Sequence, residues 1–126
     1  MRVENISKKG YGGYLPYTVK GTKLTLGKGK NKVTLDLSSM QTDERVVYDV
    51  YRDGDGLLIP QELAADTKCL FYAAIISIPP KQTEIVSMET VKDDQGKETT
   101  NMVIEKLPLD MEAVSMTLWP LQKEEN

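Results

Sequence analysis

Short segments in which apolar and polar residues alternate, turn-forming clusters at intervals of roughly 8–15 residues, and the lack of any long stretch with helical period together predict a mainly β fold. Their number gives a single-domain antiparallel β-sandwich or small β-barrel of about eight strands with one short helix. Residues 1–126 form one domain on this reading, beginning with a flexible, basic N-terminal arm of about residues 1–16.

The arm contains Gly10 to Pro16, GYGGYLP, whose glycines favour a loop before the first strand. Thr22 to Leu26 and Lys32 to Leu37 then alternate, joined by GKGKN, and read as a hairpin with Leu24, Leu26, Val33, Leu35 and Leu37 on its apolar face. Arg45 to Arg52, rich in β-branched and aromatic residues, meets Asp53-Gly54-Asp55-Gly56 and resumes at Leu57-Leu58-Ile59 as a second hairpin. Pro60 to Thr67 predicts the helix, with proline at its permitted first position. The apolar run Lys68 to Ile78, stopped by Pro79-Pro80, predicts a central strand covered on both faces. Thr83 to Lys92 and Glu98 to Leu107 form a third hairpin around the polar loop Asp93 to Lys97. Ala113 to Trp119 places Val114, Met116 and Leu118 on one side and ends at Pro120, which favours a strand over a helix beginning at Asp110. The tail from Gln122 to Asn126 is expected to fray.

Charge is unevenly distributed. The first 35 residues hold eight basic groups against the single acid Glu4, a net of +7, and the remaining 91 hold eight against eighteen, a net of −10. A basic segment of this kind meets either a phosphate backbone or an acidic protein face. Histidine is absent, which excludes Ser-His-Asp and Cys-His nucleophiles, His-ligated zinc and imidazole proton shuttles. Cys69 is the only cysteine, so no disulfide forms within the chain, and its apolar neighbours predict a buried, inert thiol. No apolar run approaches the roughly 18 residues of a membrane helix, and no secretory signal precedes the Asn5-Ile6-Ser7 sequon, so the expectation is a cytoplasmic protein, or one assembled into a particle.

Three short segments resemble functional motifs. Tyr51 to Glu62 resembles an EF-hand calcium loop at Asp53, Asp55, Gly56, Leu58 and Glu62, but Tyr51 replaces the first carboxylate and the flanks read as strands, so a hairpin turn is the simpler reading. Asp55 with Asp66-Thr67-Lys68 resembles the acid and acid-x-lysine arrangement of metal-dependent nucleases, without the expected flanking elements. Gly21 and Gly27-Lys28 resemble a P-loop only in part, because the spacing is one residue too long and Gly29 stands where Ser or Thr would touch magnesium. No catalytic residue, metal ligand or cofactor is assigned from these.

The residues with the strongest claim to contacts are Lys8, Lys9, Tyr11, Tyr14 and Tyr17 in and after the arm, with Lys28, Lys30 and Lys32 extending the positive surface. The sequence therefore predicts a non-enzymatic structural or assembly protein. It would make protein contacts through its arm and strand edges, by self-association into an oligomer or with another protein. By architectural analogy alone it would be a phage or prophage particle subunit. The alternative is a small-barrel protein that binds single-stranded nucleic acid, its lysines neutralising phosphates and its tyrosines stacking on bases. A metal-dependent enzyme comes third. No membrane partner is expected.

Overall fold

The computed structural model of the chain describes residues 1–66 and 70–123. Cys69, Thr67 and Lys68, and the tail beyond Lys123, lie outside the described residues, and with them the expectations of a buried thiol and of a nuclease-like Asp-x-Lys. The strands in chain order are β1 (Arg2–Asn5), β2 (Tyr11–Gly12), β3 (Tyr17–Lys20), β4 (Lys23–Lys28), β5 (Asn31–Asp36), β6 (Val46–Arg52), β7 (Leu58–Pro60), β8 (Phe71–Ile78), β9 (Thr83–Lys92), β10 (Glu98–Lys106), β11 (Ser115–Leu118) and β12 (Gln122–Lys123). One helical turn, α1 (Leu37–Met40), follows β5.

A five-stranded sheet in the order β1-β11-β8-β6-β7 forms one layer, and a three-stranded antiparallel sheet, β3-β4-β5, forms the other. Leu24, Leu26 and Leu35 from the smaller sheet and Val50, Ala74, Ile76, Met116 and Leu118 from the larger belong to one apolar cluster. The fold is thus mainly β and open, with no closed barrel. Alternation explains which side chains enter: Leu24 and Leu26 are fully buried while Lys23 is exposed and Thr25 half-buried on the other face of the same strand. Among the described residues no helix is long and apolar enough to cross a membrane.

Four features differ from the sequence-based expectation. Residues 1–16 do not project as a free arm. Arg2–Asn5 pairs in parallel with β11, Ile6 N–H donates to the Leu118 carbonyl at 2.8 Å, and Leu15 is buried in the core. Val3 leans on the core, and its burial together with four new ladder positions offsets the entropy of fixing the segment. The larger sheet is consequently mixed rather than purely antiparallel. Second, Gln61–Asp66 is a 3-10 helix rather than an α-helix, and Pro60 belongs to β7. Six residues are too few for a cooperative α-helix, so the tether at Glu62 decides their shape. Third, Leu37 opens α1 instead of ending β5. Fourth, β8 is central in its sheet, but its first two residues, Phe71 and Tyr72, are exposed.

Two turns share one chemistry. Asp53 accepts at Oδ1 from the N–H groups of Asp55 and Leu57, both at 2.9 Å, and Asp93 accepts from Gln95 at 2.9 Å and Lys97 at 2.8 Å. In each, a glycine three residues on, Gly56 or Gly96, takes positive φ (86° and 77°) and completes a three-residue hairpin loop. The calcium-like segment is therefore a capped turn between two strands, with its first aspartate engaged by backbone amides.

Gly27 meets a stricter demand. It has φ +88°, and a Cβ there would overlap the Asn31 carbonyl oxygen and approach Leu58 Cδ1 at 2.8 Å. Asn31 clamps the two layers at this point, donating to the Gly56 carbonyl and accepting from Leu58 N–H, both at 2.8 Å. Gly27→Ala is expected to cost at least about 2 kcal/mol in urea unfolding, from left-handed strain plus overlap with backbone. Gly29→Ala, at φ +63° with open space around it, should cost about 1 kcal/mol.

The 3-10 segment is tied to the sheet by Tyr48, whose hydroxyl donates to Glu62 Oε2 at 2.6 Å. Burial, and then the anionic acceptor, push the Tyr48 hydroxyl up to about 12 from its ordinary 10. A folded value above the unfolded one means the native state holds the proton more tightly. This contribution is fully present below pH 10 and is lost as pH rises towards 12. Stability measured by urea midpoint should therefore fall between pH 10 and 12, and Tyr48→Phe should flatten the slope. Some slope should remain because Tyr51, raised to about 12 by burial and then by Asp49, titrates in the same window.

Candidate functional site

The contact residues expected from the sequence do not form one platform. Tyr11 lies in β2, half-buried beneath Lys8, whose Nζ stands 4.4 Å from its ring centroid. Tyr14 packs against the core and donates to the Ile6 carbonyl at 2.8 Å. Tyr17 is exposed on β3 in the other sheet. Lys9 is exposed beside Lys8, whereas Lys28, Lys30 and Lys32 are exposed on and beside the β4–β5 turn. A spacing of three along an irregular segment does not put side chains on one face, and here the segment crosses from one layer to the other. Only Lys8 and Tyr11 come together.

What the structure does assemble near Lys8 is an aromatic cleft of about 540 Å³. Its walls include Lys8, Tyr11, Arg52, Phe71, Tyr72 and Trp119. The described lining carries two cations and no carboxylate. A β-bulge makes the cleft. In the β6–β8 ladder Val50 pairs with Ala74 but Tyr51 pairs with Tyr72, so Ala73 is the extra residue. Without it Tyr72 would share the inward face of Ala74, Ile76 and Ile78; with it, Tyr72 moves to the outer face beside Tyr51. Tyr72 then stands between two rings, 5.1 Å from Tyr51 and 5.4 Å from Trp119, both tilted by about 30°. The next pair, Arg52 and Phe71, puts the guanidinium 4.6 Å from the Phe71 ring centroid. Arg52 Nε is buried without a hydrogen-bond partner, and among the described residues neither Arg52 nor Lys8 has an ion-pair partner.

The second surface is the β9–β10 hairpin. Every residue of both strands is exposed, and among the described residues the ribbon makes no extensive contact with another strand. Its register sorts the two faces. Met88 opposes Met102 and Ile85 opposes Ile104, with Val86 as the extra residue of a bulge, so these five share one apolar face flanked by Thr90 and Thr100. Glu84, Glu89, Asn101 and Glu105 lie on the other, with Val91 and Val103 among them. Met88, Met102 and Ile104 remain more than half exposed, at 65, 54 and 56%. The segment Thr83–Lys106 holds six acids and three lysines, a net of −3.

The hairpin leaves the body through a closed root. Leu107 N–H donates to the Gln82 carbonyl at 2.8 Å and Lys81 N–H to the Thr42 carbonyl at 2.8 Å. Gln41, the buried polar residue of the core region, donates from Nε2 to the carbonyls of Pro79 and Pro80 at 3.1 and 3.3 Å. Pro79, Pro80 and Pro108 restrict the backbone on both sides of this root.

Sequence alternation found the hairpin's bounds but not its isolation, and the cleft escaped entirely because a bulge leaves no sequence signal. The cleft's packing is open to a direct check through Trp119, the only tryptophan of the chain. Tyr72→Ala removes the ring between two others. It is expected to destabilise the fold by about 1–3 kcal/mol and to shift Trp119 emission to longer wavelength, both readable in one fluorescence-monitored urea titration.

Comparison of the chain with protein-family models, with curated proteins and with solved structures gives no match in any of the three.

Proposed function

We propose that the protein is a non-enzymatic assembly subunit whose working element is the β9–β10 hairpin, and that its partner is a further copy of the same chain, as in a phage-like particle. The observation that carries this reading is the uncovered apolar face formed by Ile85, Val86, Met88, Met102 and Ile104. An isolated two-stranded hairpin is marginal in water, because it exposes both faces and two unpaired edges. Covering one face with protein recovers roughly 25 cal/mol per Å² of apolar surface and supplies what the ribbon lacks on its own. The apolar core of the body contains no residue of 83–106.

The nucleic-acid alternative draws on fewer features of this arrangement. Tyr14 spends its hydroxyl on Ile6, and Tyr11, Tyr14 and Tyr17 lie on separate elements, so consecutive bases meet no continuous stack.

Excision of the hairpin tests the assembly role cleanly, because Gln82 and Leu107 are already joined at the root. Replacing residues 83–106 with a two-residue Asn-Gly turn should leave a folded body, read as a cooperative urea transition and β-type far-UV circular dichroism. Size exclusion with light scattering should give a monomer for this variant and a concentration-dependent oligomer for the intact chain. An intact chain that stays monomeric at every concentration defeats the reading.

A further inference from the structure

We infer that the acceptor for the hairpin is the aromatic cleft of a neighbouring copy, so that assembly runs head to tail. This rests on the assembly reading above and adds to it the surface that receives the hairpin. Charge selects between the two ways in which copies of this chain could cover the apolar face. Stacking hairpin on hairpin about a twofold axis brings together two segments of net −3. The cleft instead offers Lys8 and Arg52, which have no anionic partner among the described residues, and no carboxylate in its described lining. Because Glu84, Glu89 and Glu105 lie on the ribbon's other face, opposite net charges steer this contact at a distance rather than hold it by ion pairs, whereas like ones oppose it.

The apolar chemistry agrees. Phe71 and Tyr72 are 49 and 46% exposed at the mouth of the cleft, a concentration of ring surface of the kind that dominates protein interfaces. Methionines 88 and 102 are unbranched and polarisable, suited to packing on the faces and edges of rings. Reach agrees as well. Ten residues of β9 extend about 33 Å at 3.3 Å per residue, close to the diameter of a compact body of about 100 residues. The ribbon is therefore long enough to leave its own subunit and lie along the next. Because donor and acceptor are different surfaces, each copy offers one of each, and the contact repeats into a closed ring or an open filament.

Two full-length variants and their mixture test this. Met88→Lys with Met102→Glu spoils the hairpin face while retaining a favourable cross-strand pair. Phe71→Glu with Lys8→Glu spoils the cleft, and the new carboxylate at 71 sits opposite Arg52, which protects the fold. Far-UV circular dichroism and a cooperative urea transition, both compared with the wild type at a dilution at which it too is monomeric, establish that both variants are folded. In light scattering each alone should be monomeric, with the dissociation constant raised about tenfold or more. Mixed one to one, they should form a dimer and nothing larger, one intact hairpin in one intact cleft. If the cleft variant keeps the wild-type oligomer, head-to-tail docking is overturned while the hairpin's assembly role stands. If the hairpin variant also keeps it, or the wild type is monomeric throughout, both are overturned. A wild-type monomer whose cleft binds a single-stranded oligonucleotide likewise overturns both.

Discussion

The shared burial of Leu24, Leu26 and Leu35 with Val50, Ile76 and Met116 is the contact on which the rest of the molecule depends. It joins two sheets that have no strand in common and fixes, by the strict two-residue period of a strand, which side chains each sheet must turn outwards. Once this core is closed, residues 83–106 have no place in it. The hairpin's apolar face is surplus to the body, and so is the ring cluster that the β8 bulge brings to the outer surface. Both exposed surfaces are remainders of the same packing solution.

Strand positions were legible because the physical signal is local. The apolar sets of β4 and β5, the bounds of β9 and the Asp-x-x-Gly turns at 53–56 and 93–96 follow from alternation and from the few residues that tolerate a left-handed backbone or cap their own amides. What escaped was non-local. Strand β1 is four residues long with one apolar side chain turned inwards, and it becomes a strand only because β11, more than a hundred residues later, offers it an edge. The two-residue strands β2 and β12 likewise exist through each other. The basic arm read from the charge distribution was a statement about composition, and composition does not say whether a segment finds an edge to pair with.

The candidate site was less legible than the fold for a related reason. Alternation shows that Met88 and Met102 belong on one face, but not whether anything lies on that face. The run from Lys68 to Ile78 reads as continuously apolar, which hides the single extra residue, Ala73, that reverses the facing of Tyr72 and builds the cleft. Lys8 was singled out for its charge, and the structure gives it a neighbour, Arg52, forty-four positions away in the chain. Electrostatic asymmetry survives in altered form: Lys8 meets Arg52 at the cleft, and the hairpin carries −3 of the −10 borne by residues 36–126.

The parallel pairing of Arg2–Asn5 with Ser115–Leu118 sets the order in which the molecule is made. The β4–β5 and β9–β10 ribbons have partners adjacent in the chain, so their pairing closes only a short loop. The larger sheet must wait until residue 118 has emerged before its outermost strand can lock. Until then Val3 and its neighbours have no strand edge to pair with, although the core that Val114, Met116 and Leu118 will enter precedes them in the chain.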